Sequence, residues 1–465
     1  MEQTYRSQIF DHLGLVAGMV EDLGSGDVID KATQQHPAMP IVTAGNAVKA
    51  MGRNGLGFVN QRLDLVPQFF QHTPTARLIA PAMAPAHLND DTLGRALETL
   101  DDDGVTALYR LMAATAAQRL GLAPTVAHLD RTSFHVDGRD KRDEEPDAQV
   151  IPITQGYSRD HRPDLNHVML DLMVEHHAGL PIWMQPLSGH SRDVTDVGQI
   201  VPEHISQLST TSGTTSLVAD SALYRDDNLQ KLAETHRPWM TRVPATVHEA
   251  QTARAQVIPE TMPPVMEGYR DPECRSTDGG VPQRWVLLSS ERRQPHVQRT
   301  VNKPLLKQGD QEVHAFQKLC RVAFACEADA QQALATCAHG LEATFVHEST
   351  VRSSPRDGQR GRPRQDAQPA QVTYPLAGAL ASRLATPQAR VDQHRGFILA
   401  TNARDDVRLP PQVLFASDTG QGHAERGCRF LKDPQFLASA CSLNKPARLM
   451  ALLMVMTVCL LVYAA

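Results

Sequence analysis

The chain has 465 residues, of which 41% are hydrophobic and 21% are charged. These values exclude a wholly disordered protein and leave room for two or three domains. The 46 Lys and Arg residues against 52 Asp and Glu residues give a formal charge of −6. This balance excludes a protein that coats nucleic acid through bulk charge, so any DNA contact must come from local basic patches.

Cysteine usage and the first residues of the chain both indicate the cytoplasm. The seven cysteines are odd in number and contain no C-x-x-C pair, so neither a disulfide framework nor a zinc ribbon is predicted. The first residues carry an acid early and no apolar segment before a small-residue cleavage site, so we expect no secretory signal. A reducing, cytoplasmic location fits this pattern best.

The first 120 residues are predicted to be helical. Apolar residues recur at helical spacing over 44–70 and again over 92–120. Asn89 supplies an N-cap for the second stretch, and Gly121 follows its end. We therefore expect an all-α domain over residues 1–120. Such a domain could bind DNA, although packing alone explains the same pattern.

Short strands are predicted after residue 124. The elements are, in order, a strand over 125–130, a hairpin with strands at 168–174 and 180–184, a helix over 194–208 and a strand over 216–219. This order is the start of a mixed α/β sheet. His176 and His177 beside Glu175 could suggest a metal site, but adjacent residues on a strand point to opposite faces, which favours a hairpin turn.

Two acids, Asp130 and Asp220, follow the apolar residues of predicted strands, and a third, Glu425, lies on a later predicted helix. Buried carboxylates are costly unless they pair with cations. Grouped oxygen ligands suit Mg²⁺ or Mn²⁺, and two such ions about 3.5–4 Å apart clamp the reacting oxygens of a phosphodiester. The alternative is that each strand-end Asp caps a turn.

Residues 241–405 have a looser pattern and are interpreted as an insertion. A helix is predicted over 313–340, with strands over 285–288 and 396–400. Helical spacing returns after Pro411.

Residues 449–465 form an uncharged apolar run at the lower limit for spanning a bilayer. A C-terminal membrane anchor is one interpretation. A helix that is apolar all round is also typical of the interior of a large protein, so a buried helix is the other interpretation.

Three ordered blocks carry a resemblance to a known family. Residues 128–134, followed by 164–166 and then 218–224, resemble the first and second acid blocks of insertion-sequence DDE transposases. Residues 425–434 are similar to the third-acid signature of these enzymes, in which Glu precedes Lys by seven positions. The resemblance covers nearly the whole chain.

The resemblance implies an RNase H-like mixed-sheet catalytic core with an insertion before the third acid, in addition to the all-α N-terminal domain. The first part of this core would span residues 121–240, the insertion 241–405 and the C-terminal helices 406–465. Family members usually continue beyond the apolar helix, so we expect the core to be truncated. The same apolar helix belongs to soluble enzymes in this family, so we expect residues 449–465 to be a buried helix and not a membrane anchor.

The resemblance also implies roles for individual residues. Asp130, Asp220 and Glu425 would be the catalytic residues and the ligands of two Mg²⁺ or Mn²⁺ ions, and Lys432 would contact a DNA phosphate. Arg429 shares a helix face with Glu425, where it would contact DNA or pair with that acid.

Arg360 and Arg362 belong to an Arg-Gly-Arg-Pro segment that resembles a minor-groove hook. We expect them to bind DNA, with a solvated loop as the alternative.

The chain departs from the family at three positions near the third acid. Asp418 stands where the family has Tyr, Cys428 where it often has Phe, and Gln421 where it often has Arg. The chain therefore lacks the Tyr through which the family makes this DNA contact.

The function that the resemblance implies is transposition. The N-terminal domain would recognise the inverted-repeat ends of the element, and the core would hydrolyse a phosphodiester and join the freed end to target DNA. A homodimer on DNA is expected because two ends must be joined, and no membrane is expected as a partner. The alternative is a truncated, catalytically inactive remnant that only binds DNA.

Overall fold

The computed structural model of the protein describes residues 10–34, 41–58, 63–136, 154–155, 166–189, 216–256, 264–266, 269–270, 273–290, 294–356, 371–383, 396–405, 409–433 and 445–465. The chain divides into two compact units. Unit 1 comprises residues 1–244, 274–285 and 399–465, and unit 2 comprises residues 245–273 and 286–398. Unit 2 lies within the predicted insertion, whereas the boundary predicted at residue 120 falls inside unit 1.

Helices form the regular structure described before residue 120. They are α1 (Leu13–Leu23), α2 (Ser25–Ala32), α3 (Ala44–Gly55), α4 (Val66–Phe69), α5 (Thr75–Leu78), α6 (Asp90–Asp102) and α7 (Val105–Arg119). Asn89 caps α6 as predicted, because its Oδ1 accepts the N–H of Thr92 at 2.9 Å. The stretch predicted as one helix over 92–120 is two helices, since Gly104 adopts a φ of 84° that breaks it.

The strands are β1 (Val126–Val136), β2 (Thr154–Gln155), β3 (Asn166–Glu175), β4 (Pro181–Ser188), β5 (Ser216–Ala219), β6 (Trp239–Arg242), β7 (Pro264–Met266), β8 (Tyr269–Arg270), β9 (Glu273–Ser276), β10 (Gln283–Ser290), β11 (Ala323–Phe324), β12 (Thr344–Val351), β13 (Ser354–Arg356), β14 (Gln371–Ser382) and β15 (Gly396–Thr401). In unit 1 the sheet has the order β4-β3-β1-β5-β6. β3 runs antiparallel to both β1 and β4, and β5 runs parallel to both β1 and β6. The predicted hairpin is confirmed as β3 and β4.

The remaining helices are α8 (Asp226–Glu234), α9 (His248–Gln256), α10 (Gln294–Cys320), α11 (Glu327–His339), α12 (Pro411–Leu431) and α13 (Pro446–Ala464). The helix predicted over 313–340 is two helices, α10 and α11. The helix predicted over 194–208 lies outside the described residues.

Helix α13 is buried in the core of unit 1. It packs against α3, α6, α7, α12 and β4, and its residues Leu449–Val462 are all buried. The helix is long and apolar enough to cross a membrane by composition, yet its apolar surface is covered by protein. Each buried Leu, Val or Met side chain contributes about 1.5–3 kcal/mol, so α13 is a main source of stability in unit 1.

One hydrophobic cluster joins the N-terminal helices, α13 and one face of the sheet. Tyr109 of α7 is fully buried, and its hydroxyl donates to the carbonyl oxygen of Pro181 in β4 at 2.8 Å. At the N-terminal end of α13, Arg448 and Lys445 both pair with Glu98 of α6, at 3.0 and 2.7 Å. The helices before residue 120 and the sheet therefore share a core.

Unit 2 contains a four-stranded antiparallel sheet in which β14 pairs with β11, β12 and β13. Helix α10 is attached to β12 through Glu312, whose carboxylate accepts the N–H of Ala343 at 3.1 Å and the N–H of Thr344 at 2.8 Å.

Candidate active site

Asp130 lies inside β1 and not at the end of a strand. The strand continues to Val136, beyond the end predicted from the apolar run. Asp130 and His128 are two residues apart and therefore point to the same face of the sheet. Nδ1 of His128 lies 3.2 Å from Oε1 of Gln421 in α12. Asp130 is thus on the face that α12 covers.

Asp220 directly follows β5, the parallel neighbour of β1. Leu129 of β1 is in register with Ala219 of β5. The residues that follow them, Asp130 and Asp220, therefore lie side by side along the chain backbone. Oδ1 of Asp220 accepts the N–H of Ala222 at 3.0 Å and caps a short 3₁₀ helix. The side chain therefore has the capping role that was the alternative interpretation, and its backbone position adjoins that of Asp130.

Glu425 is exposed on α12. Two residues later, the Cβ position at Gly427 is 3.5 Å from Cδ2 of Leu172, and Leu172 is the cross-strand partner of Asp130. The turn of α12 that carries Glu425 therefore lies at the level of Asp130 along the sheet.

The three acids do not form a ready-made metal site. Among the residues that the structure describes, which include Asp130, Asp220 and Glu425, no three His, Cys, Asp or Glu side chains are grouped so that they could hold an ion. The donor chemistry itself suits Mg²⁺, because carboxylate oxygens are hard ligands. The type of donor atom and the order of the strands both suit a metal site. The side chains themselves are not grouped into one set of ligands.

The predicted DNA-binding residues have different positions. Arg429 is exposed in the last turn of α12, and Lys432 follows that helix and is partly buried. Within the described part of the chain Arg429 and Glu425 make no ion pair, so the pairing alternative for Arg429 is not observed. Arg360 and Arg362 lie outside the described residues.

Asp418, which stands where the family has Tyr, forms an ion pair. Its two carboxylate oxygens accept from Nε and Nη2 of Arg242 at 2.8 and 2.7 Å. Such two-pronged Arg–carboxylate pairs fix geometry as well as adding energy. Asp418 therefore attaches α12 to β6, two helical turns before Glu425.

A histidine cluster beside Asp130 was not predicted. Nε2 of His128 lies 2.9 Å from Nδ1 of His176, and the two rings stack with centroids 5.1 Å apart. Burial lowers the pKa of His128 to about 4, so the ring is neutral at pH 7. The signal that could have located His128 is its two-residue spacing from Asp130. His176 and His177 lie at the hairpin turn, as favoured from the sequence.

Close packing at Gly420 holds this cluster against α12. A Cβ atom at Gly420 would clash with Nδ1 of His176 and would lie 2.9 Å from Nε2 of His128. Gln421 beside it donates from Nε2 to the carbonyl oxygen of Leu129 at 3.0 Å. Together these contacts set the distance between α12 and β1.

Comparisons with known proteins give a family match and a structural likeness. A family model described as a domain of unknown function (DUF4277) matches residues 5–114, and this domain occurs in transposase-like proteins. No curated protein matches the chain. A piggyBac transposase synaptic complex with hairpin DNA is similar at 12% identity and a TM-score of 0.38, over 98% of this chain and 74% of that chain. At this TM-score the likeness does not establish a shared fold. The family match supports a transposase-like protein.

Proposed function

We propose that the chain is a DDE-type transposase of an insertion sequence, which hydrolyses a phosphodiester at the terminal inverted repeats and transfers the freed end to target DNA. One observation carries the proposal. The register of β1 with β5 joins Leu129 to Ala219, so the strands that lead to Asp130 and Asp220 are parallel neighbours. Both lie in the same unit as α12, which bears Glu425.

The proposal includes an RNase H-like core. Its support is the strand order β4-β3-β1-β5-β6 with β3 antiparallel to its neighbours. In this arrangement the first strand is central and a hairpin forms one side of it. A helix far along the chain, α12, packs on β1, β3 and β5. The RNase H-like fold is therefore proposed together with the transposase activity.

In this mechanism Asp130, Asp220 and Glu425 would hold Mg²⁺ or Mn²⁺. Bound ions of this kind lower the pKa of water and stabilise the charge that develops on phosphoryl oxygens. Arg429 and Lys432 would bind phosphates of the cleaved strand. Arg429 lies four residues after Glu425 on the same side of α12, and Lys432 directly follows the end of that helix. The Asp418 pair with Arg242 would keep α12 in position while DNA is bound.

Recognition of the element ends is assigned to residues 1–120, the region that contains the DUF4277 match. A homodimer on DNA is the proposed working form because two ends must be joined. In the proposed complex the phosphate contacts would be spread over many residues, so end binding should survive changes at the acids.

The second candidate is a non-catalytic protein that binds the element ends. It is favoured by the absence of a grouped ligand set among Asp130, Asp220, Glu425 and the other described residues. This candidate predicts specific end binding with no cleavage in either Mg²⁺ or Mn²⁺.

A cleavage assay separates the two candidates. DNA carrying the ends of the parent element is incubated with the protein and Mg²⁺, and end binding is measured in parallel by mobility shift. Asp130→Asn keeps the shape of the side chain and removes its charge, so we expect cleavage to be lost and binding retained. Asp227→Asn, at an exposed acid of α8, is the control and should cut at the parental rate.

Cleavage by Asp130→Asn at the parental rate would show that the acid triad is wrong. Specific end binding without cleavage by the parent protein, in both metals, would favour the second candidate.

A further inference from the structure

A groove of about 440 Å³ lies in unit 1 between the β3–β4 turn, the C-terminal half of α12 and the end of α13. Its lining includes Gly179, Arg426, Arg429, Phe430 and Tyr463. The volume falls within the range of roughly 300–1,000 Å³ in which proteins bind small ligands. No residue of the acid triad lines the groove, but Arg429, which is assigned above to phosphate binding, does.

Aromatic rings form one wall of the groove. The rings of Phe430 and Tyr463 stack with centroids 4.6 Å apart and an interplanar angle of 24°, and Phe58 meets Phe430 edge-on at 6.3 Å. Tyr463 is 65% exposed. One face of its ring lies on Phe430, and another flat ring could extend the stack on the opposite face. Stacking of a nucleic-acid base on an aromatic side chain contributes about 1–3 kcal/mol.

Positive charge forms the other wall. Arg426 and Arg429 are exposed, lie three residues apart on the same side of α12, and make no ion pair with any residue in the described ranges. Guanidinium groups bind phosphates through paired hydrogen bonds. Asp433 also lines the groove and opposes this charge, so the two arginines leave a net positive surface.

We propose that this groove binds unpaired nucleotides of a DNA strand, with a phosphate on Arg426 and Arg429 and a base on the open face of Tyr463. Bases inside a duplex are stacked on their neighbours and cannot reach a side chain in this way, so the groove should prefer single strands. The choice of DNA as ligand rests on the proposed function. Binding itself requires neither metal nor cleavage.

The test measures fluorescence anisotropy of a labelled oligothymidylate in the presence of EDTA, so that cleavage cannot contribute. Tyr463→Ala should weaken single-strand binding roughly tenfold or more, whereas Tyr463→Phe, which keeps the ring, should bind as the parent does. Arg426→Ala should weaken binding and reduce its salt dependence, because one phosphate contact is lost. Arg77→Ala, an exposed arginine of α5, is the control and should have no effect.

Equal single-strand affinity for Tyr463→Ala and the parent protein would overturn the proposal. So would a Tyr463→Ala loss that is as large for duplex DNA, or clearly tighter binding of oligouridylate than of oligothymidylate. The Asp130→Asn variant should bind the single strand at parental affinity. Loss of groove binding and loss of cleavage are thus measured separately, and failure of one leaves the other standing.

Discussion

Asp101 lies near the C-terminal end of α6 and is followed by two more acids, Asp102 and Asp103. Burial, together with the charge of Asp102, raises its pKa to about 6. The carbonyl groups at the end of a helix also disfavour negative charge. In the folded protein this carboxyl binds a proton more tightly than in the unfolded chain, so its charged form destabilises the fold at pH 7.

Asp101→Asn should therefore raise the free energy of unfolding at pH 7, by about 1 kcal/mol or less because the side chain is partly exposed. The penalty is absent below the unfolded pKa near 3.8 and appears as pH rises through about 6. Urea unfolding of parent and variant should differ at pH 7 and coincide near pH 4. Asp91→Asn, in the first turn of the same helix, should not stabilise. A gain at pH 4 equal to that at pH 7 would contradict the titration of Asp101.

Local sequence sufficed for residues whose partners are near in the chain. Asn89 could be predicted as a cap because its partner Thr92 is three residues away. Asp418 could not be understood in this way, since its partner Arg242 is 176 residues earlier. The contact of His128 with Gln421 spans 293 residues, and nothing in the local pattern indicates it.

At the scale of elements, the packing of α12 against the sheet depends on Gly420, which has no side chain. Gly420 leaves room for His176 and His128, so a methyl group there must push the helix or the two rings away. Gly422 on the same helix has only Nη1 of Arg426 near its Cβ position, at 3.7 Å. The two glycines therefore form a matched pair for testing the packing between α12 and the histidine rings.

Gly420→Ala should lower the free energy of unfolding by about 1–3 kcal/mol, the usual cost of overpacking. Gly422→Ala should leave stability unchanged or raise it by up to about 1 kcal/mol, because Ala favours a helix over Gly. Thermal or urea unfolding of both variants measures the difference. If Gly420→Ala were as stable as Gly422→Ala, the close packing between α12 and the histidine cluster would be wrong.

The order and type of these elements followed from the sequence better than their ends did. Alternation over 168–174 and the apolar run at 180–184 predicted the hairpin of β3 and β4. The end of β1 was missed because the polar residues from Asp130 onward hide a strand that is held by pairing with β3 as far as Val136. Pairing of this kind is a property of the assembled sheet.

At the scale of the whole molecule, the N-terminal helices depend on α13. Met51 of α3, Leu97 of α6 and Met112 of α7 are fully buried in the cluster that contains α13. Composition left both a membrane span and a buried helix open for α13, and the family resemblance favoured the buried helix. Neither indicated which helices α13 packs against, since that depends on contacts between the two ends of unit 1.

A fragment of residues 1–120 should therefore not unfold cooperatively, because the buried side chains of α13 are missing from its core. Circular dichroism during heating measures this, with the intact chain as the control. Removing large apolar side chains from a core costs about 2–5 kcal/mol each, which exceeds what a small helical region can lose. A sharp, cooperative transition of the fragment alone would show that the helices form an independent domain.

The burial of α13 also determines when the core of unit 1 can be completed during synthesis of the chain. The thiol of Cys459 in α13 donates to the carbonyl oxygen of Gly52 in α3 at 3.6 Å, across 407 residues. A ribosome adds about 5–20 residues per second, so α3 emerges roughly 20–80 s before its partner. Throughout that interval the nascent chain exposes the apolar faces that α13 will cover, so the incomplete core is prone to aggregation until translation reaches α13.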